Sequence, residues 1–277
     1  MELTFSTVGQ LCSSVNFADE QPCIDLSDIT FFRPFALVYL GMFLRYHAGR
    51  GIGFIVRPPV NAPAREYLDR QRFWERFNLG TASIQSENLH RFGSNTSFND
   101  IFDIRRPSII REDIAEKIAN DVVVVLEKSD ANVKTTLVWE TVVELVDNFS
   151  RHSGQMLAVI TMQYYPNVRQ LVIAIGDCGI GIRQSLASNP QYEYLAHEPH
   201  YAAALKAFEP LVTCKPGRGG SGLLSVREDM IEMHGTLVLA TGDGYVRMGG
   251  YGNSEAGNMA YNLPGVQIEM AFPEETR

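Results

Sequence analysis

The spacing of apolar and polar positions predicts alternating strands and helices in the first part of the chain. Residues 23–29, CIDLSDI, have the length and composition of a short strand, and Pro34 marks the start of an apolar helix over residues 35–49. A second strand is predicted at residues 52–56, and residues 62–77 have helical periodicity with aromatic anchors. Strand, helix, strand and helix at these lengths indicate a small α/β layer.

Apolar periodicity is lost over residues 80–108, where Gly, Ser, Asn and Thr are frequent, apart from a short strand predicted at residues 101–104. The pattern becomes helical at residue 109, although the run VVVV at residues 122–125 would also suit a strand. A long helix is predicted at residues 134–152. We therefore predict a domain boundary in the polar stretch, which divides the chain into residues 1–80, a linker at 81–108 and residues 109–277.

Two apolar strands follow the long helix, at residues 156–165 and 169–177, and the Pro-Asn pair between them indicates a hairpin turn. Residues 183–217 are polar and are predicted to be irregular, and a helix is predicted at residues 222–235. Three further strands are predicted at residues 236–241, 244–248 and 266–272. The chain is therefore expected to belong to the mixed α/β (α+β) class.

Composition narrows the class of protein. The chain has 277 residues, of which 45% are hydrophobic, so it can bury a sizeable core. A net charge of −8 argues against general nucleic-acid binding, which depends on Lys and Arg that neutralise phosphates. The four cysteines form no CxxC pair and no cluster with zinc spacing, which favours a reduced protein without a structural metal. Without a signal-peptide pattern or an apolar run of about 18 residues, we expect a cytoplasmic protein and no membrane association.

The stretch ELVDN, at residues 144–148, ends an apolar helical pattern with polar side chains. Positions four apart share a helix face, so Glu144 and Asn148 are expected side by side. A carboxylate can accept a proton from an attacking water, and an amide oxygen is a hard ligand suited to Mg²⁺. By itself, an ExxxN pair is more often a solvated helix face.

The stretch IAIGDCGIGI, at residues 173–182, is an apolar strand that ends in Asp177 and two glycines, Gly179 and Gly181. Glycines let the backbone turn and let a flat ligand approach closely. A carboxylate at the end of the strand can accept a hydrogen bond from an exocyclic amine such as that of adenine. A strand that ends in an ordinary glycine turn would have the same sequence.

The stretch TCKPGRGGSGLLSVRE, at residues 213–228, places four glycines just before a predicted helix, with Lys215 and Arg218 adding positive charge. Free backbone amides and the helix dipole favour an anion at such a position. The glycine spacing fits GxGxxG formally, but the residues before it contain two prolines and do not form the strand that a Rossmann fingerprint needs. The chain also has no GxxxxGK[ST] sequence of a P-loop.

The order of these stretches along residues 109–273 resembles the GHKL ATPases, a family that includes gyrase-type topoisomerases, MutL proteins and sensor histidine kinases. ELVDN is similar to the N-box of that family, DCGIG to its first glycine box and GRGGSGL to its second. AFEPLVTCK at residues 207–215 is similar to the segment before the second glycine box, and PGVQIEMAFP at residues 264–273 to the closing strand. The resemblance implies a two-layer α/β sandwich of the histidine-kinase-like type that binds ATP and Mg²⁺.

The resemblance also implies roles for the matching residues. Asn148 is expected to coordinate Mg²⁺ on the triphosphate, and Asp177 to hold the adenine amino group. Glu144 matches the general base of the members that hydrolyse ATP; its alternative role is to hold water near the metal. The remaining expected ATP contacts lie beside the base or in a mobile lid over the phosphates: Gly179, Gly181, Lys215, Arg218, Gly219, Gly220, Ser221 and Gly222.

The N-terminal segment resembles a second family more weakly. CIDLSDITFFRPFALVYL is similar to the STAS domains of anti-anti-sigma factors, chiefly in its DLS-x-[IV]-T portion, and the resemblance covers residues 20–80. Pro34 stands where that family has its phosphorylated Ser, which excludes phosphorylation at that position. The resemblance implies an interaction surface for a protein partner; the alternative is an α/β core with no partner.

Three functions follow from the two resemblances. The first is an ATP hydrolase that acts as a nucleotide-dependent switch in intracellular signalling or in stress or defence regulation. The second is a serine/threonine kinase of the anti-sigma type that acts on a separate STAS protein, and the third is an ATP sensor without turnover. Autophosphorylation on His is not expected, because neither His47 nor His90 stands in a phosphoacceptor context. A homodimer is compatible with all three.

Overall fold

A computed structural model describes residues 1–76, 99–105, 113–127, 131–152, 157–214 and 222–275. The protein is a mixed α/β fold, as predicted. None of the helices in these ranges is long and apolar enough to cross a membrane.

The N-terminal segment contains short parallel strand pairs and one long buried helix. Its elements are β1 (Glu2–Leu3), α1 (Phe5–Ser13), β2 (Cys23–Asp25), β3 (Phe31–Phe32), α2 (Pro34–Ala48), β4 (Ile55–Arg57), α3 (Ala62–Arg70) and α4 (Phe73–Arg76). Strand β1 pairs with β3, and β2 pairs with β4. The predicted helix at residues 35–49 is confirmed. The predicted helix at residues 62–77 breaks after Arg70, where Arg72 adopts a positive φ of 49°.

The rest of the described chain forms a five-stranded antiparallel sheet with helices before and between its strands. Its elements are β5 (Asn99–Arg105), α5 (Asp113–Glu127), α6 (Thr135–His152), β6 (Leu157–Tyr165), β7 (Gln170–Gly176), α7 (Gly181–Ala187), α8 (His200–Ala207), α9 (Gly222–Glu232), β8 (Thr236–Met248) and β9 (Ser254–Pro273). The order in the sheet is β5-β6-β7-β9-β8. Two 3₁₀ segments, Pro166–Val168 and Pro190–His197, join β6 to β7 and α7 to α8.

Both faces of the sheet are covered. Ile173 and Ile175 of β7 face the hydrophobic core that α5 to α9 share with the sheet. Ala174, between them, faces a second core that contains the buried side chains of α1, α2 and α3. A three-layer arrangement results, with the N-terminal segment packed on the face of the sheet opposite α5 and α6.

Some sequence predictions were wrong in detail. The segment 183–217 is largely helical where it is described, because Leu186, Leu195 and Phe208 pack against the sheet from short helical turns. The helical prediction for residues 122–125 is confirmed, since they belong to α5 and not to a strand. Strand β9 begins at Ser254, well before the predicted start at residue 266, because its polar first half pairs with the far half of β8. The predicted strands at 236–241 and 244–248 form one bulged strand.

The predicted strand at residues 101–104 is confirmed as part of β5, which pairs with β6 at the edge of the sheet. The segment predicted to be a linker thus contributes a strand. The domain bounds 1–80, 81–108 and 109–277 stay a prediction, since residues 77–98 and 106–112 lie outside the described ranges.

Candidate functional site

The connections of the fold bring helix α6 to the end of the sheet at which β7 finishes. Val159, near the start of β6, is paired with Gly176, the last residue of β7. Helix α6 ends at His152 and β6 begins at Leu157. Five residues of chain can separate these two ends by at most about 17 Å. The C-terminal part of α6, which carries the ExxxN pair, therefore lies at the Gly176 end of the sheet.

Helix α9 begins at the same end. Strand β8 starts at Thr236 beside Ala271 and reaches the Gly176 end at Thr241, which is paired with Val266. Helix α9 precedes β8 by a three-residue turn, and its 11 residues span about 16 Å, close to the length of β8 from residue 236 to 241. Because α9 packs against β8 and returns along it, its first residue, Gly222, lies at the Gly176 end.

Gly222 is in direct contact with the ExxxN pair. The amide nitrogen Nδ2 of Asn148 donates a hydrogen bond of 3.0 Å to Oε1 of Glu144, so the two side chains share a helix face as predicted. A methyl group on Gly222 would lie 1.9 Å from Oε1 of Glu144 and 3.2 Å from Nδ2 of Asn148. Only glycine fits at this position while Glu144 keeps its conformation. The structure therefore brings Gly222 into contact with Glu144, which lies 78 positions earlier in the sequence, and with Asn148. The three residues were predicted to belong to one site.

The contact between α6 and α9 is fixed by a second polar pair, two turns along α9. Oγ1 of Thr141, which is buried, donates a hydrogen bond of 3.2 Å to Oδ2 of Asp229. Partial burial raises the pKa of Asp229, and the hydrogen bond from Thr141 opposes that rise. This pair holds α9 against α6 at a point two turns from Gly222.

Asp177 directly follows β7 and is only 6% exposed. Its Oδ1 accepts a hydrogen bond of 2.6 Å from the backbone N–H of Gly179, and its own N–H donates to the carbonyl of Val266 at 2.9 Å. Burial raises the pKa of Asp177 to about 7, against the lowering effect of hydrogen bonds to the carboxylate from the backbone of Gly179 and Val266. A carboxyl group poised between its charged and neutral forms at neutral pH is characteristic of a functional site.

Two glycines with positive φ let the backbone approach Asp177. Gly265, with φ of +92°, lies in a bulge of β9, and a methyl group there would be 2.8 Å from Oδ1 of Asp177. Gly181, with φ of +72°, opens α7, and a methyl group there would be 2.9 Å from Oγ1 of Thr241. That hydroxyl accepts a hydrogen bond of 3.1 Å from the N–H of Ile182 and so caps the start of α7.

The neighbour of Asp177 in the DCGIG motif faces the N-terminal segment. Sγ of Cys178 donates a hydrogen bond of 3.2 Å to the carbonyl of Met42 in α2. Burial raises the pKa of Cys178 to about 12, so the thiol stays protonated and unreactive. A methyl group on Gly176 would lie 2.4 Å from Cγ1 of Val38, which shows that α2 packs directly on the backbone beside Asp177.

The described residues account for part of the predicted set. Glu144, Asn148 and Gly222 form one group, and Asp177, Gly179 and Gly181 form another at the same end of the sheet. The other predicted ATP contacts, Lys215, Arg218, Gly219, Gly220 and Ser221, lie outside the described ranges.

Three residues at this end of the sheet were not predicted from the sequence: Gly265 and Gln267, which contact Asp177, and Thr241, which caps α7. Gln267 donates from Nε2 to the carbonyl of Asp177 at 2.8 Å. The Pro-Gly pair just before the strand predicted at residues 266–272 was a signal for the bulge, since proline and glycine often mark an irregular backbone. Thr241 and Gln267 carried no such signal, because their roles depend on the pairing of β8 and β9.

The site is thus a nearly buried carboxyl beside glycine-lined backbone, with an amide and carboxylate pair on α6 at the same end of the sheet. No known family model matches the chain, and no curated protein is significantly similar to it.

Proposed function

We propose that the chain binds Mg-ATP at the Gly176 end of the sheet and is a GHKL-type ATPase that acts as a nucleotide-dependent switch in intracellular signalling or in stress or defence regulation. In this proposal, the sheet and helices α5 to α9 are the α/β sandwich of that family. The observation that carries it is the contact of Gly222 with Glu144 and Asn148, because it places the first residue of α9, which ends the glycine-rich stretch, against the ExxxN pair.

Asp177 is the residue that recognises the base. A charged carboxylate accepts a hydrogen bond from an exocyclic amine, and burial makes that bond stronger than it would be in water. Oδ1 accepts from the N–H of Gly179, and because each carboxylate oxygen can accept more than one hydrogen bond, the carboxyl keeps acceptor capacity for a ligand. The bare Cα of Gly265 lets the bulge of β9 lie directly against Asp177, which encloses the carboxyl on that side.

Asn148 and Glu144 fit a Mg²⁺ ion held between protein and phosphates. Nδ2 of Asn148 is used by Glu144, which turns the amide oxygen, a hard ligand, away from that carboxylate. Mg²⁺ favours few protein ligands and keeps several waters, so one amide oxygen is sufficient for such a site. The described residues contain no cluster of three or more His, Cys, Asp or Glu side chains suited to a metal. When bound, the ion neutralises phosphate charge.

Glu144 is the general base. Its carboxylate lies at the start of α9, where free backbone N–H groups favour anions, and it is held in place by Asn148. From this position it can accept the proton of a water that attacks the terminal phosphate. Gly222 gives the carboxylate the space that this position requires.

The N-terminal segment is the part of the switch that responds to the nucleotide. The backbone N–H of Phe35, at the start of α2, donates a hydrogen bond of 2.7 Å to Oε2 of the buried Glu269 in β9. Val38 and Met42, further along α2, contact Gly176 and Cys178, the two neighbours of Asp177. A shift of Asp177 on nucleotide binding would therefore displace α2, and the displacement of α2 would change the surface offered to a partner protein.

A phosphate-release assay, run beside incubation with ATP labelled at the γ-phosphate, tests this function. The account predicts free phosphate without labelled protein. Glu144→Ala should abolish release, whereas Glu140→Ala, which removes an exposed carboxylate one turn earlier on the same helix face, should leave it unchanged. Transfer of label to a co-purified protein would support the anti-sigma-type kinase instead, and binding without turnover would support the sensor. Release by Glu144→Ala at the rate of the unmodified protein would remove Glu144 as the base.

A further inference from the structure

Gln267 is a buried polar residue behind the candidate site. It lies on β9, its side chain is fully buried, and it points to the sheet face that packs on α2. Its Nε2 donates two hydrogen bonds, of 2.8 Å to the carbonyl of Asp177 and 3.2 Å to the carbonyl of Pro264. Its Oε1 finds no hydrogen-bond partner among the described residues.

Burying the Gln267 amide with Oε1 unpaired costs free energy, because that oxygen loses its hydrogen bonds to water. Methionine has nearly the same volume and would leave no buried acceptor unsatisfied. The NH₂ group of Gln267 therefore has a specific role. It donates hydrogen bonds to two carbonyls that have no partner in the strand pairing of β7, β9 and β8.

The two carbonyls belong to the parts of the backbone that shape the site. Asp177 is tied to β9 at both of its main-chain polar atoms, because its N–H donates to Val266 and its carbonyl accepts from Gln267. The Pro264 carbonyl precedes Gly265, whose bare Cα lies against the carboxyl of Asp177. One amide thus holds the bulge of β9 and the end of β7 in a fixed relation.

The surroundings of Gln267 exclude water from these bonds. A methyl group on Gly176 would lie 3.1 Å from Cγ of Gln267 and 2.4 Å from Cγ1 of Val38, so the Gln267 side chain is enclosed between the sheet and α2. Hydrogen bonds in such a dry setting are stronger and better fixed than at a surface.

We propose that Gln267 is a positioning residue, which orients Asp177 toward the adenine ring by holding its main chain and the bulge at Gly265. This inference rests on the proposed function. Gln267 contacts Asp177 only through the backbone, so it acts through the carboxyl and not on the ligand.

The test compares Gln267→Met with the unmodified protein by titration with Mg-ATP and with Mg-tripolyphosphate. Because the variant keeps the volume and removes both donated bonds, we expect ATP binding to weaken about tenfold or more. Tripolyphosphate, which has no base, should bind both proteins equally. Gln163→Met, on the same face of β6, is the matched control and should bind ATP like the unmodified protein.

Backbone amide exchange at residues 177–179, measured without nucleotide, gives a second readout. It should be faster in Gln267→Met, and in Gln267→Asn, whose amide is too short to reach both carbonyls. Equal ATP affinity in all variants, or unchanged exchange, overturns the positioning role while the proposed function stands. Equal loss of ATP and tripolyphosphate overturns it too, since the effect would not be confined to the base. If the unmodified protein binds no ATP, the proposed function and this inference both fail.

Discussion

Burial of Asp177 should cost the folded protein stability at and above neutral pH. Its pKa is about 7 in the folded state, against an ordinary value of 3.8. Between these values the folded protein retains a proton that the unfolded chain has released, so the free energy of unfolding falls as pH rises across this window. Each pH unit corresponds to about 1.4 kcal/mol, which gives a cost on the order of 4 kcal/mol at pH 8.

Asp177→Asn isolates this cost, because asparagine keeps the shape and the acceptor for Gly179 but cannot ionise. The free energy of unfolding of the variant, measured by urea denaturation from pH 4 to pH 8, should match that of the unmodified protein at pH 4. At pH 8 the free energy of unfolding of the variant should exceed that of the unmodified protein by up to about 4 kcal/mol. Asp177, which the proposed function assigns to ligand binding, would thus be a residue whose substitution by Asn stabilises the ligand-free protein.

Asp25→Asn is the control, because its expected effect on the free energy of unfolding is opposite to that of Asp177→Asn. The side chain and backbone of Ser27, together with Arg57, lower the pKa of Asp25, so its charge contributes stability above its ordinary pKa. Asp25→Asn should therefore be less stable than the unmodified protein throughout pH 4 to 8. The reasoning on Asp177 is refuted if the difference between Asp177→Asn and the unmodified protein does not grow with pH, or if the variant is the less stable one at pH 8.

Two further predictions concern glycines in close contact. Gly176→Ala should destabilise the protein by about 1–3 kcal/mol in urea denaturation, because the added methyl meets Val38 of α2, and Val38→Ala in the same chain should recover part of the loss. Gly53→Ala, which has nothing within 4 Å, is the control and should change stability by less than about 1 kcal/mol. Gly222→Ala should displace Glu144 and abolish phosphate release while the free energy of unfolding stays nearly unchanged; normal release would show that this contact is not needed for turnover.

The parts of the fold that could be predicted are those in which one local pattern determines the element. Helices α2 and α6 have long apolar periodicity, and β6 and β7 have apolar runs on either side of a turn. The helical turns over residues 181–207 are short, and few of their side chains, such as Leu195, pack inward, so periodicity could not reveal them. The early start of β9 was hidden for a similar reason, because residues 254–258 are largely exposed.

The candidate site could be predicted only as far as its motifs are continuous in sequence. Glu144, Asn148 and Asp177 stand out because polar groups interrupt apolar elements. Gln267 and Thr241 act across the sheet, and their partners follow from the register of β9 and from its bulge. The packing of α2 behind Asp177 was also hidden, since it depends on a missing side chain at Gly176.

Calorimetric titration at pH 8, with the unmodified protein and with Asp177→Asn, shows whether Asp177 and its neighbours bind Mg-ATP. We expect saturable binding by the unmodified protein, weaker at pH 6, where the carboxyl is largely protonated, and no measurable binding by the variant. Because Asp177→Asn should be more stable at this pH, loss of binding could not be attributed to unfolding. Equal affinity in the two proteins, or no binding by either, would contradict the account.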